Sequence, residues 1–263
     1  MSRRQSFRHI VLTGASSGIG KALATEMAGP GTRLTLIARD GPRLAAVAGE
    51  AEAKGAEVAT LTVDVADRGA MAEALREADA TPIDLLIANA GVSAGLEPGR
   101  MPEAPGVADR LAAINYLGVV HTVEPILPQM IARGRGRIAL MSSLAGMTPF
   151  ADMPSYSASK AAVRGYGIAL RGAMRQHGVG VTVICPGFVT SRMSARHRGL
   201  KLFEISAPKA ARIIARGLAR GQAQITFPWQ LALGCWLSNR LPPGLSDLAV
   251  SGFRADVIPD DRG

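Results

Sequence analysis

Thr13-Gly14-Ala15-Ser16-Ser17-Gly18-Ile19-Gly20 is the stretch on which the reading of this chain turns. An apolar run, residues 9–13, leads into it, and a helical stretch beginning Lys21-Ala22-Leu23-Ala24 leaves it. A strand, a glycine turn and a helix start, in that order, put backbone N–H groups and the positive end of a helix dipole where a pyrophosphate can sit. The glycines let the phosphate approach closely. A bare GxGxxG is a weak signal, but TGxxxGxG set between a strand and a helix predicts a dinucleotide site.

Outward from the turn, short runs rich in Val, Ile and Leu alternate with longer Ala-rich stretches of helical period. The runs are residues 9–13, 33–38, 57–63, 85–88, 137–141 and 179–185, with a possible seventh at 223–227. Strands buried on both faces read as continuous apolar runs, so these predict a parallel sheet with helices on either side. The helical stretches are 19–28, 41–54, 68–79, 108–130, 155–177 and 207–220. The expected fold is α/β, a doubly wound parallel sheet of six to seven strands. No repeat and no Pro-, Gly- or Ser-rich linker divides the chain, so residues 1–263 are expected to form a single domain. Two segments stand outside the alternation: 191–206, expected to carry substrate choice, and a C-terminal extension, 228–263.

Length and composition agree with a globular enzyme-sized body. Of 263 residues, 48% are hydrophobic and 19% charged, which excludes disordered and collagen-like chains. Cys185 and Cys235 are too few for a disulfide framework, which fits a reducing compartment. The basic first ten residues lack the apolar core of an export signal, and the apolar stretch 227–237 falls short of the ~20 residues a bilayer crossing needs. A cytoplasmic protein is expected, with peripheral membrane contact left open. The net charge of +9 is concentrated: Arg192, Arg196, Arg198, Lys201, Lys209, Arg212, Arg216 and Arg220 face a single acid, Glu204. Such a patch fits an anionic ligand or surface, or a solvated helix face, better than general nucleic-acid affinity. His9, His121, His177, His197 and the two cysteines share no metal-ligand spacing, and no Gly-x-Ser-x-Gly elbow marks a hydrolase.

The glycine turn resembles the TGxxxGIG of the short-chain dehydrogenases/reductases, and the resemblance extends over roughly residues 8–190. Asp64-Val65 follows the third strand, Asn89-Ala90-Gly91 the fourth, and Asn115 lies in Asn-Tyr-Leu-Gly. Ser142-Ser143 follows the fifth strand, Tyr156-Ser157-Ala158-Ser159-Lys160 opens the next helix, and Pro186, Gly187, Val189 and Thr190 follow the sixth. The resemblance implies a Rossmann-type fold and a nicotinamide cofactor. The implied contacts are Gly14, Ser16, Ser17, Gly18, Ile19, Gly20, Arg39, Asp64 (on adenine), Val65, Asn89, Ala90, Gly91, Tyr156, Lys160 and the four residues after the sixth strand.

Choice between NAD and NADP is expected where the second strand ends, Ala38-Arg39-Asp40. A carboxylate there accepts bonds from a ribose hydroxyl and repels a 2′-phosphate, whereas Arg offers that phosphate a forked, permanent cation. Ala38 stands where NAD-preferring members carry Asp, and Arg39 follows it, so NADP(H) is preferred. NAD(H) stays possible, because Ser17 replaces a second basic residue and Asp40 can pair with Arg39 or Arg43.

Tyr156 and Lys160 are four apart, on one face of a helix. A neighbouring ammonium stabilises a phenolate and draws the Tyr pKa towards working pH. Tyr156 then gives a proton to a carbonyl oxygen, or takes one from an alcohol. By resemblance Lys160 also holds the nicotinamide ribose, Ser143 steadies the substrate oxygen, and Asn115 holds a water linking Lys160 to solvent. Ser143 is preferred to Ser142 by its spacing of thirteen residues from the Tyr. Asn115, Ser143, Tyr156 and Lys160 together favour a catalyst over the alternative, a non-catalytic dinucleotide-binding regulator or membrane-surface adaptor.

The substrate is expected to be a small-molecule ketone or secondary alcohol. Met193, Leu200, Leu202, Phe203 and Ile205 among cations, with Trp229, Leu231, Leu233, Trp236 and Leu237, could form an apolar pocket with a basic rim, suited to a long-chain or anionic 3-keto compound. They could equally pack a core or a subunit contact. The resemblance also implies a homodimer or homotetramer built on residues 108–130 and 155–177.

Overall fold

The computed structural model describes residues 6–242, 244–245 and 255–257. Its strands are β1 (His9–Thr13), β2 (Arg33–Ala38), β3 (Glu57–Thr62), β4 (Leu85–Ala88), β5 (Gly136–Met141), β6 (Val179–Pro186), β7 (His197–Gly199), β8 (Gln224–Phe227) and β9 (Ala255–Val257). Seven of them form one sheet in the order β3-β2-β1-β4-β5-β6-β8, with every pair parallel. The run at 223–227 is therefore a seventh sheet strand, beginning at Gln224. β3 sits at an edge and is half exposed along its length, whereas all five residues of β1 and all four of β4 are buried.

The helices are α1 (Gly18–Met27), α2 (Gly41–Glu52), α3 (Arg68–Ala78), α4 (Val107–Leu111), α5 (Gly118–Val123), α6 (Leu127–Arg133), α7 (Pro154–Met174), α8 (Arg192–Ala195), α9 (Ala207–Ala219) and α10 (Trp229–Ser238). Successive side chains of β1 enter opposite cores. Ile10 and Leu12 pack with Leu23 of α1, Leu44 of α2 and Ile214 of α9, while Val11 packs with Met71 of α3, Val119 of α5 and Val163 of α7. This two-sided burial is why each central strand reads as an unbroken apolar run.

The stretch 108–130 is not one helix. α4 runs into a π-helical segment, Ala112–Leu117, then α5, a break, and α6 with Pro128 in its first turn. Pro fits a first helical turn, where its missing N–H has no partner to lose, and it disfavours helical geometry in the residue before it. The stretch 155–177 is α7 followed by a 3-10 turn. Strand order reverses between β1 and β4, one winding left of β1 and the other right of β4. A parallel sheet opens a ligand crevice at such a switch point, beyond the carboxyl ends of its strands.

Candidate active site

A cleft of about 1010 Å³ opens there. Its floor is made by the turns that leave β1, β4 and β5. Gly14 has φ of +66°, and a Cβ on it would stand 2.8 Å from the Ala90 Cα. A Cβ on Gly20 would stand 2.1 Å from the Gly14 carbonyl oxygen. Neither position can carry a side chain, so the backbone itself forms a cradle. Thr13 and Asn89 clip the β1 and β4 turns together: the Thr13 hydroxyl accepts from the main-chain N–H groups of Asn89 and Ala90 at 3.0 and 3.1 Å, and Asn89 Nδ2 donates to the Thr13 carbonyl at 3.0 Å. Ser17 precedes α1 without capping it through its side chain. Uncapped first-turn N–H groups at the end of a ten-residue helix suit a phosphate. The cradle fits a dinucleotide pyrophosphate.

Past β2, Arg39, Asp40 and Arg43 line one end of the cleft together with Asp64 and Val65. Arg39 pairs with Asp64 at 3.4 Å, both groups being substantially exposed. Asp40 caps α2 through the Arg43 amide and pairs with the Arg43 guanidinium at 2.5 Å. Exposed pairs of this kind are worth little, so either guanidinium can turn to a bound anion at small cost.

At the other end of the floor Lys160, 3% exposed, donates from Nζ to the Met141 carbonyl at 3.1 Å and lies 5.9 Å from the centre of the Tyr156 ring. The Ser143 side chain lies beside Tyr156, and both line the cleft. Burial brings the Lys160 ammonium down to about 8. Burial also pushes the Tyr156 phenol above its ordinary value, against the Ser143 side chain that pulls the other way. The lowering expected from the ammonium does not appear in the free chain: desolvation dominates, and the phenol holds its proton.

Asn115 lies in the π-helical segment, fully buried and off the cleft wall. Its Oδ1 accepts from the Val92 amide at 2.8 Å, and its Nδ2 donates to the Val92 carbonyl and the Ser159 hydroxyl, both at 3.0 Å. A Cβ on Gly91 would come within 3.0 Å of Asn115 Oδ1 and 3.1 Å of Lys160 Nζ, so the two side chains converge on that glycine. Thr190 also stays off the wall, its hydroxyl donating to the Ile205 carbonyl at 3.4 Å. The remaining residues expected to bind cofactor all line the cleft: Gly14, Ser16, Ser17, Gly18, Ile19, Gly20, Arg39, Asp64, Val65, Asn89, Ala90, Gly91, Tyr156, Lys160, Pro186, Gly187 and Val189.

The substrate wall differs from expectation. Of the apolar residues named for it, Met193 and Leu231 line the cleft; Leu200, Phe203, Trp229, Leu233, Trp236 and Leu237 are exposed, and Ile205 packs on the core. The wall is instead built from Phe188, Met153, Leu144 and the inner side of α10, with His197. The His197 ring leans on Phe188 at 4.9 Å between centroids, and burial, then the nearby Lys201, lowers its pKa. β7 pairs antiparallel with β9, which ties the segment 191–206 to the chain's last described strand, and Val257 packs against Gly95. Three-residue strands carry no periodicity, so nothing in the sequence marked this clasp. The rest of 228–263 beyond α10, apart from 239–242, 244–245 and β9, lies outside the described residues.

A family model described as short chain dehydrogenase matches residues 8–199. An "Uncharacterized oxidoreductase" of Myxococcus xanthus is 38% identical over 253 residues, covering 95% of this chain and 98% of that protein. "3-dehydrosphinganine reductase TSC10B" of Arabidopsis thaliana is 34% identical over 239 residues, 84% of this chain and 70% of that protein. A metagenomic short-chain oxidoreductase solved in complex with NADP superposes with TM-score 0.70 at 32% identity, covering 83% of this chain and 96% of its own. The chain belongs to the short-chain dehydrogenase family and is an oxidoreductase of that family, acting on a small molecule with a nicotinamide cofactor.

Proposed function

We propose that the protein is an NADP(H)-dependent carbonyl reductase, or alcohol dehydrogenase in reverse, acting on a long-chain or anionic 3-keto compound. The observation that carries the reading is the gathering of Ser143, Tyr156 and the buried Lys160 on one wall of the cleft, with Lys160 Nζ 5.9 Å from the centre of the Tyr156 ring. When bound, the nicotinamide supplies or receives the hydride. Tyr156, kept protonated by burial, donates its proton to the substrate oxygen; Ser143 holds that oxygen; and the Lys160 ammonium offsets charge left on the phenol. Asn115 is a positioning residue that locks Val92 and Ser159 beside Lys160.

NADP is favoured because Arg39 and Arg43 both reach the end of the cleft beyond β2, where Ala38 supplies no carboxylate. The similarity to a relative complexed with NADP supports the same choice. A long-chain substrate is supported by the apolar wall of Leu144, Met153, Phe188, Met193 and Leu231, with Arg192 and Arg196 beside it for an anionic group. The 34% identity to a 3-dehydrosphinganine reductase points the same way. Exposed Leu117 and Ile168, on the π-helical segment and α7, are assigned to a homo-oligomer contact.

The test is a fluorescence titration with NADPH and NADH, then turnover across ketones of increasing chain length. Tighter NADPH binding and faster reduction of long-chain 3-keto substrates are expected. Equal rates on short ketones would remove the chain-length reading. Tight binding without turnover would turn the protein into a dinucleotide-binding regulator.

A further inference from the structure

The two tryptophans of the chain, Trp229 and Trp236, both lie on α10, and both face solvent, 69% and 49% exposed. Leu233 and Leu237 share that exposure, and Leu241 and Leu245 extend it past the helix end. At about 100° per residue, Trp229, Leu233, Trp236 and Leu237 fall in one arc, and Leu231, Gly234, Cys235 and Ser238 in the opposite one. The second set lines the cleft. α10 is therefore apolar on both sides, a pattern proper to a buried or lipid-embedded helix, yet one side has no protein partner among the described residues. A cluster of exposed Trp and Leu marks an interaction surface.

We propose that α10 docks the protein on an anionic lipid surface, with its outer face in the interfacial zone and its inner face on the cleft. Charge decides the occupant. From Trp229 to Ser246 the sequence holds no Asp or Glu, and Arg240 is its one cation. Arg240 lies over the Trp236 ring at 3.5 Å, a cation set at the level of an aromatic ring as at membrane boundaries. A second copy packed face to face would add a further Arg240 and no acid, whereas anionic headgroups complement that cation. A lipid substrate held in that surface then has only the thickness of α10 to cross to the cleft, a consequence that rests on the long-chain part of the proposed function.

The position of both tryptophans makes their emission a direct reporter of this face. The full chain, without cofactor, is titrated with vesicles of phosphatidylglycerol and phosphatidylcholine in equal parts, and with phosphatidylcholine alone. A blue shift on the anionic vesicles, weakened by salt, is expected. Leu233→Glu with Leu237→Glu keeps both reporters and should weaken vesicle binding about tenfold or more, while NADPH binding and turnover of a short, water-soluble ketone stay unchanged. Unshifted emission would overturn the proposal, and equal shifts on both vesicle types would overturn its anionic commitment. A dimer that the same variant dissolves, in a protein that ignores vesicles, would assign the face to a second copy. Vesicle binding by a protein that reduces no ketone would leave the docking standing and sink the reductase reading, so the two failures are separable.

Discussion

The Ser142 hydroxyl donates a 2.7 Å bond to the main-chain carbonyl of Lys160, eighteen residues on and inside α7, in a buried setting. Its neighbour Ser143 lies beside the Tyr156 side chain and accepts from the Ala145 amide at 3.1 Å. One serine ties β5 to the helix that carries Lys160, and the other is assigned to the proposed chemistry. Ser142→Ala is expected to cost about 1 kcal/mol of stability by removing a buried hydrogen bond. Ser143→Ala also gives up the bond accepted from the Ala145 amide, a cost of about 1 kcal/mol, but it alone should lose about ten- to a hundredfold in kcat/KM. Thermal melts and steady-state rates on both variants check this, and matching losses of kcat/KM in the two would contradict the division.

Tyr156→Phe removes the proposed proton donor and little volume. It should lower kcat by about 10²- to 10⁴-fold, the usual worth of a positioned acid or base, with NADPH affinity preserved. Full activity in this variant would end the proposed mechanism.

The pH profile has a predicted sign. Burial lowers Lys160 to about 8, so its ammonium is present below that pH and is lost above it. The Tyr156 phenol, raised by burial, keeps its proton over the same range. For reduction, kcat/KM of the free enzyme should be level below pH about 8 and fall about tenfold per unit above it. Lys160→Arg, which does not titrate, should remove that fall from whatever activity remains. A profile rising through pH 8 would be incompatible with this assignment.

Arg39 and Asp64 form an exposed pair, so Arg39→Ala should alter stability by less than about 0.5 kcal/mol. Loss of a charged bond to a 2′-phosphate should raise the KM for NADPH about ten- to a hundredfold and leave that for NADH nearly unchanged. Equal effects on the two cofactors would remove Arg39 as the selector.

Leu117 and Ile168 are large apolar side chains 44% and 38% exposed. A charge at the centre of an apolar contact disfavours it strongly. Leu117→Glu with Ile168→Glu should convert a homo-oligomer to monomer by light scattering, without touching the vesicle binding assigned to α10. An unchanged mass would move the contact elsewhere.

What the sequence determined by itself is local. Buried parallel strands announce themselves as apolar runs, and the runs at 9–13, 33–38 and 85–88 coincide with β1, β2 and β4 residue for residue. Gly14 and Gly20, and the pair Tyr156 and Lys160, were legible because a glycine turn and a four-residue helical spacing fix geometry over a few bonds, whereas Ser143 was named only by resemblance. Tertiary structure decided the rest. It broke 108–130 into four pieces and spent the Asn115 amide on Val92 and Ser159 rather than on the cleft. It clasped β7 to β9 across some sixty residues, and turned Leu231 inward and Leu233 outward on one apolar helix. A helix apolar all round carries no periodic signal of which side is covered, and a pairing between three-residue strands carries none at all. Those choices follow from what packs against each segment, and that is set by contacts distant in the chain.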